Sequence, residues 1–155
     1  MSHIYLDASA AVKRYCPETG SAWIRSLTDP AAGHALLLCE ITLVEVAAAI
    51  AAKRRVAGGI TREERDKAIA LFLNHCDKAY ELIAVNRPII DRAVNLTQNH
   101  QLRGYDAVQL ATALISNQAL TTAGLSPLIF VSADRDLVAT THAEGLAAEN
   151  PNLHP

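Results

Sequence analysis

Short apolar runs spaced by helix-length segments confine this chain to a narrow set of architectures. His3–Leu6, Ala35–Cys39, Tyr80–Val85 and Leu128–Ser132 each read as a strand, and Leu146–Glu149 as a short last one. The stretches between them carry helix signals. Ser9–Tyr15 stops at Pro17, and Ser21–Leu27 stops at Asp29-Pro30. Ile41–Arg55 ends in Lys53, Arg54 and Arg55 with Gly58-Gly59 beyond, cations and glycines that suit a helix C-terminus. Thr61 with Glu64 forms a capping box that opens a helix to about Lys78. Asn86-Arg87-Pro88 starts a further helix to about His100, and Tyr105–Asn117 and Asp136–Glu144 complete the set. Strands too apolar for a wet face, alternating with helices, call for a parallel sheet covered on both sides. The expected fold is therefore α/β: one domain over residues 1–149, with 150–155 as a loose tail.

Composition narrows the function. Half of the 155 residues are hydrophobic but only 5% are aromatic, which suits an alanine-rich core of closely packed helices. A net charge of −2 argues against a broad basic grip on nucleic acid, although a carboxylate site with a local basic rim fits the same balance. Cys16, Cys39 and Cys76 are odd in number and scattered, so free thiols in a reducing cytoplasm are expected. No signal-peptide pattern precedes the first strand, and the most apolar segment, Ile41–Ala52, is too short to cross a bilayer. The six histidines show no HxxxH spacing, which disfavours zinc.

The acids carry the functional argument. In open α/β sheets, ligands bind beyond the carboxyl ends of the strands. Asp7 directly follows the first strand and Asp134 lies just past the clearest late one; each could equally cap the helix that follows. Glu45 shares the Ile41–Ala52 run with one other polar side chain, Thr42. It marks either a solvated stripe of Thr42, Glu45 and Ala49 or a carboxylate kept for a partner. Asp106, Gln109 and Thr112 form the polar stripe of an otherwise apolar helix, where Asp106 also suits the helix dipole. Four carboxylates brought together would repel one another, and a hard divalent cation such as Mg²⁺ or Mn²⁺ resolves that conflict. Such ions support phosphodiester hydrolysis.

Ile4-Tyr5-Leu6-Asp7-Ala8-Ser9, Thr42-Leu43-Val44-Glu45-Val46, Gly104-Tyr105-Asp106-Ala107-Val108-Gln109-Leu110-Ala111 and Phe130-Val131-Ser132-Ala133-Asp134-Arg135-Asp136-Leu137 resemble, in order and spacing, the motifs of PIN domains. The likeness is greatest to the VapC-like toxins of type II toxin–antitoxin modules, and it runs from Ile4 to about Glu149. The resemblance implies a three-layer α/β/α fold and an endoribonuclease with Mg²⁺ or Mn²⁺ held by Asp7, Glu45, Asp106 and Asp134. Asp136 is a further candidate ligand, and Ser9 and Ser132 would steady the first and last acids. Glu45 would position or deprotonate the attacking water. Lys13, Arg14, Arg103 and Arg135 are candidates for a rim that meets RNA phosphates. The resemblance also implies a homodimer, an RNA substrate and a cognate antitoxin. Set against it are a silent PIN-like binding module, a HAD-like phosphatase (Ser9 stands where that family needs a second Asp) and a receiver domain, whose early acidic pair is missing.

Overall fold

A computed structural model describes all residues from Met1 to Pro155. Five strands form a single parallel sheet: β1 (His3–Leu6), β2 (Ala35–Cys39), β3 (Tyr80–Ile83), β4 (Leu128–Val131) and β5 (Ala147–Glu149). Their spatial order is β3-β2-β1-β4-β5. Tyr5 lies beside Leu37 on one neighbour and Phe130 on the other. After β3 the chain crosses back over β1, so strand order reverses at the β1/β4 boundary. Such a reversal opens a crevice at the carboxyl ends of the two strands.

Alternation along the strands sorts the core into two halves. Ile4, Leu6, Leu36 and Leu38 face the layer built from α1 (Ala8–Ala11), α2 (Ser21–Leu27), α3 (Ile41–Arg55) and α4 (Arg62–Lys78). Tyr5, Leu37, Cys39 and Phe130 face α5 (Arg87–Asn99), α6 (Gly104–Thr122) and α7 (Arg135–Ala143). The architecture is the expected three-layer α/β/α arrangement, and Tyr5 stacks on Phe130 across the switch point with ring centroids 5.4 Å apart.

Several boundaries differ from the sequence reading. The first helix holds α form only to Ala11 and tightens into a 3₁₀ turn over Val12–Arg14. β3 stops at Ile83, two residues short of Val85. α6 continues past Asn117 to Thr122, because the Asn117 side chain accepts from the Leu128 amide at 2.9 Å instead of ending the helix. Residues 150–155 are not a loose tail. Asn150 caps a 3₁₀ turn at Pro151–Leu153, and His154 stacks on Trp23 at 4.2 Å. Gly20 makes this docking possible: its φ is +84°, and a Cβ there would stand 2.3 Å from the Pro151 carbonyl oxygen. No helix is long and apolar enough to cross a membrane. All three cysteines are free and buried.

Candidate metal and phosphodiester site

The two strand-end acids are held by one short hydroxyl relay. Ser9 Oγ donates to Asp7 Oδ1 at 2.7 Å and accepts from the Ala133 amide at 2.9 Å. Ser132 Oγ, 3.4 Å from Ser9 Oγ, accepts from the Asp134 amide at 3.1 Å. The loop carrying Asp134 is thus tied to the end of β1. Both acids also cap helices: Asp7 Oδ1 accepts from the Ala10 amide, and Asp134 Oδ1 accepts from the amides of Asp136 and Leu137. Capping and site-building do not exclude each other, because each cap engages Oδ1 alone.

Glu45 reaches the same end of the sheet from the opposite layer. Its Oε1 accepts from Gln109 Nε2 at 2.8 Å, and the same nitrogen donates to Thr42 Oγ1 at 2.9 Å. Gln109 Oε1 in turn accepts from the Tyr5 hydroxyl. A solvated Thr42 stripe is therefore ruled out: Thr42 is fully buried, and both it and Glu45 accept from Gln109. The i, i+3 spacing of Asp106 and Gln109 was the signal in the sequence for this link between α3 and α6.

Asp106 is the electrostatic hub. Its charge raises the pKa of both Asp7 and Glu45, and Asp134 raises that of Asp106. Burial is the largest cause for all three. It pushes the Asp7 carboxyl up to about 6, against the pull of the Ser132 and Ser9 hydroxyls and the Ala10 amide. Burial likewise raises Glu45 and Asp106; Gln109 opposes it at Glu45, as does the Arg103 charge at Asp106. No salt bridge engages Asp7, Glu45, Asp106 or Asp134. The four acids form no ion pair, and the cation charge that opposes these shifts is that of Arg103 at Asp106.

No three His, Cys, Asp or Glu side chains stand close enough together to grip an ion directly. The four carboxylates carry like charges that repel one another. Their chemistry still fits a hard cation, since all are oxygen donors and Mg²⁺ characteristically keeps several waters alongside one or two carboxylates.

A polar cleft of about 740 Å³ opens beside the acids, lined among others by His100, Arg103, Asp106, Asp134, Asp136 and Thr140. Asp136, exposed at the start of α7, faces this cleft with Asp134. Of the four candidate rim cations, Arg103 alone lines it. Lys13 is buried in an ion pair with Glu18 at 3.1 Å, and Arg14 donates to the Tyr80 hydroxyl at 2.9 Å, because the 3₁₀ turn carries both away from Asp7. Arg135 is exposed and unpaired. His100, which sequence reasoning missed, lies on the cleft wall with Nε2 3.0 Å from Glu144. Nothing in its immediate sequence marked it, since Glu144 is contributed by the far end of α7.

A family model described as the PIN domain matches residues 4–142, which span all four acids. The chain belongs to the PIN-domain family. It is 33% identical over its whole length, and that of the relative, to Ribonuclease VapC45 and to Ribonuclease VapC49, both from Mycobacterium tuberculosis. Its fold resembles a chain in a toxin–antitoxin complex from Klebsiella pneumoniae, with a TM-score of 0.63, 16% identity, and coverage of 96% of this chain and 97% of that one. A chain of FitAB bound to an IR36 DNA fragment matches with the same TM-score and identity, over 96% and 94%. Among PIN domains, then, this one sets a buried Asp7 and a Gln109-held Glu45 around Asp106.

Proposed function

We propose that this PIN domain is an endoribonuclease, the toxin of a type II toxin–antitoxin module, and that its RNA cleavage depends on Mg²⁺ or Mn²⁺ at Asp7, Asp106 and Asp134, with Glu45 completing the site. The observation that carries the reading is the uncompensated acid cluster at the strand-order reversal, in a chain whose full-length relatives are ribonucleases. A divalent ion held by these carboxylates would supply an activated water and offset charge on the scissile phosphate.

The chain's own residues supply the rest. Asp7 and Asp134 are kept in register by the Ser9–Ser132 relay. Gln109 fixes one oxygen of Glu45, so the other is free to take a proton from the attacking water. Arg103, on the cleft wall and near enough to lower the Asp106 pKa, is placed to meet a phosphate of the bound strand. As a toxin, the chain would be held in check by a cognate antitoxin covering this cleft, and its expected solution state is a homodimer in the cytoplasm.

The deciding experiment is cleavage of a structured RNA mixture by the wild type and by Asp7→Asn, in Mg²⁺, in Mn²⁺ and in EDTA. Metal-dependent cutting that Asp7→Asn abolishes is the expected result. Cutting that survives EDTA, or a folded wild type that binds no divalent ion by calorimetry, would overturn it.

A further inference from the structure

Asp106 lines one cleft, and its chain neighbour Tyr105 lines a second of opposite character. The first is the polar cleft with Arg103 and His100. The second is a separate cleft of about 290 Å³ lined by Ile41, Val44, Glu45, Ala48 and Tyr105. Four of its five walls are apolar, and the fifth is the Glu45 that Gln109 holds in the acid cluster. Val44 is 73% exposed and Tyr105 67%, among the most exposed large apolar side chains of the molecule. The Tyr105 hydroxyl has no hydrogen-bond partner, in contrast to those of Tyr5, Tyr15 and Tyr80. Core packing accounts for those three rings; it does not account for this one.

We propose that Tyr105, with Ile41, Val44 and Ala48, forms a subsite for one unpaired base of the nucleic acid strand whose phosphate lies at Asp106. The inference rests on the ribonuclease reading above and adds to it how the strand is seated. A single-stranded nucleotide is itself two-faced, an apolar ring attached to an anionic phosphate. The protein presents the matching pair on adjoining residues: an aromatic-walled apolar cleft at Tyr105, and a polar cleft with a guanidinium at Arg103 and Asp106. Recognition of unpaired RNA characteristically stacks splayed bases on exposed aromatic side chains. Glu45, shared by the cleft and the acid cluster, makes the base subsite continuous with the site of chemistry. Gly104 lies between Arg103 and Tyr105, and a Cβ there would meet nothing within 4 Å, so the backbone that joins the two cleft walls borders open space.

The test uses short fluorescein-labelled single-stranded RNAs in which each base in turn is replaced by an abasic site. Binding is read by anisotropy in the full-length Asp7→Asn protein with Mg²⁺, so that the strand is not cut, and cleavage is read in parallel with intact Asp7. The expected result is one position where the abasic site weakens binding by about five- to a hundredfold, the range of a single base–aromatic stack. Tyr105→Ala should remove that penalty and raise KM with little change in kcat, while Tyr105→Phe retains both. Because Tyr105 is exposed, neither variant should unfold the protein. Abasic penalties that are flat along the strand, or unchanged in Tyr105→Ala, overturn the subsite even if the wild type cuts RNA. A Tyr105→Ala protein with unaltered RNA binding but lost antitoxin binding also overturns it and assigns the cleft to a protein partner. Failure of the wild type to cut any RNA would strike the ribonuclease reading instead, and the binding arm still judges the subsite.

Discussion

Glu18 and Glu45 are both half-buried glutamates packed against the α1–α4 layer, yet their surroundings shift them in opposite directions. Burial raises both. Around Glu18 it is overcome by Lys53 at 2.5 Å and Lys13 at 3.1 Å, and the carboxyl ends below its ordinary value. Around Glu45 only the neutral Gln109 amide opposes it, Asp106 adds repulsion, and the carboxyl ends above. Asp7, Glu45 and Asp106 all lie on the raised side. A structural carboxylate is ion-paired by the fold; a carboxylate kept for a ligand is left without an ion-pair partner, at a cost in stability.

The sharpest way to break this comparison is to remove the hub. Asp106→Asn keeps the shape and deletes the charge shared by Asp7, Glu45 and Asp134. RNA cleavage should fall by at least about a hundredfold, the scale on which positioned charges and bases contribute to catalysis. The folded state should survive, with an unchanged or higher thermal midpoint in EDTA. An active Asp106→Asn enzyme would mean that the uncompensated acids are not the site of chemistry.

The same substitution logic at Glu18 should do the reverse. Glu18→Ala leaves Lys13, 5% exposed, as an uncompensated buried cation. Breaking a fully buried pair costs roughly 3–5 kcal/mol; the partial exposure of Glu18 and Lys53 lowers the expectation to about 2 kcal/mol. Urea denaturation checks it. RNA cleavage per folded molecule should not change, and a large loss of activity at wild-type stability would contradict the structural role.

How much of this was legible beforehand follows from the range of the forces involved. The strands at His3–Leu6 and Ala35–Cys39, the α3 limits and the Thr61–Glu64 capping box depend on neighbours within a few residues, and the sequence reading matches them. The four acids were visible because each breaks an apolar run. Lys13 was misplaced because adjacency to Asp7 in sequence says nothing about the 3₁₀ turn that rotates it toward Glu18. His100 and the docked Asn150–His154 segment depend on Glu144, Gly20 and Trp23, partners distant in the chain, and no local pattern announces them.

The smallest expected effect is also the most direct reading of the contrast, because it compares the two kinds of carboxylate in one titration. In EDTA, Asp7 has a folded-state pKa of about 6 against an ordinary 3.8, so the folded state favours its protonated form. Its contribution to stability is therefore fully present below the unfolded value and is lost as pH rises through about 6. Glu18 has a lowered folded pKa, so its contribution is present above its ordinary 4.5 and is lost as pH falls below it. The metal-free protein should accordingly be most stable at about pH 4, where most of the Asp7 contribution is still present and the Glu18 contribution is only beginning to be lost. Asp7→Asn should remove the upper transition and stabilise the metal-free protein at pH 8 by about 2 kcal/mol, a little less than the full linkage value because Asn retains some desolvation cost. Glu18→Gln should remove the lower transition and leave the upper intact. Saturating Mg²⁺ should act on the upper transition alone, raising stability at pH 8 more than at pH 5, since only the uncompensated carboxylates have affinity left for a cation.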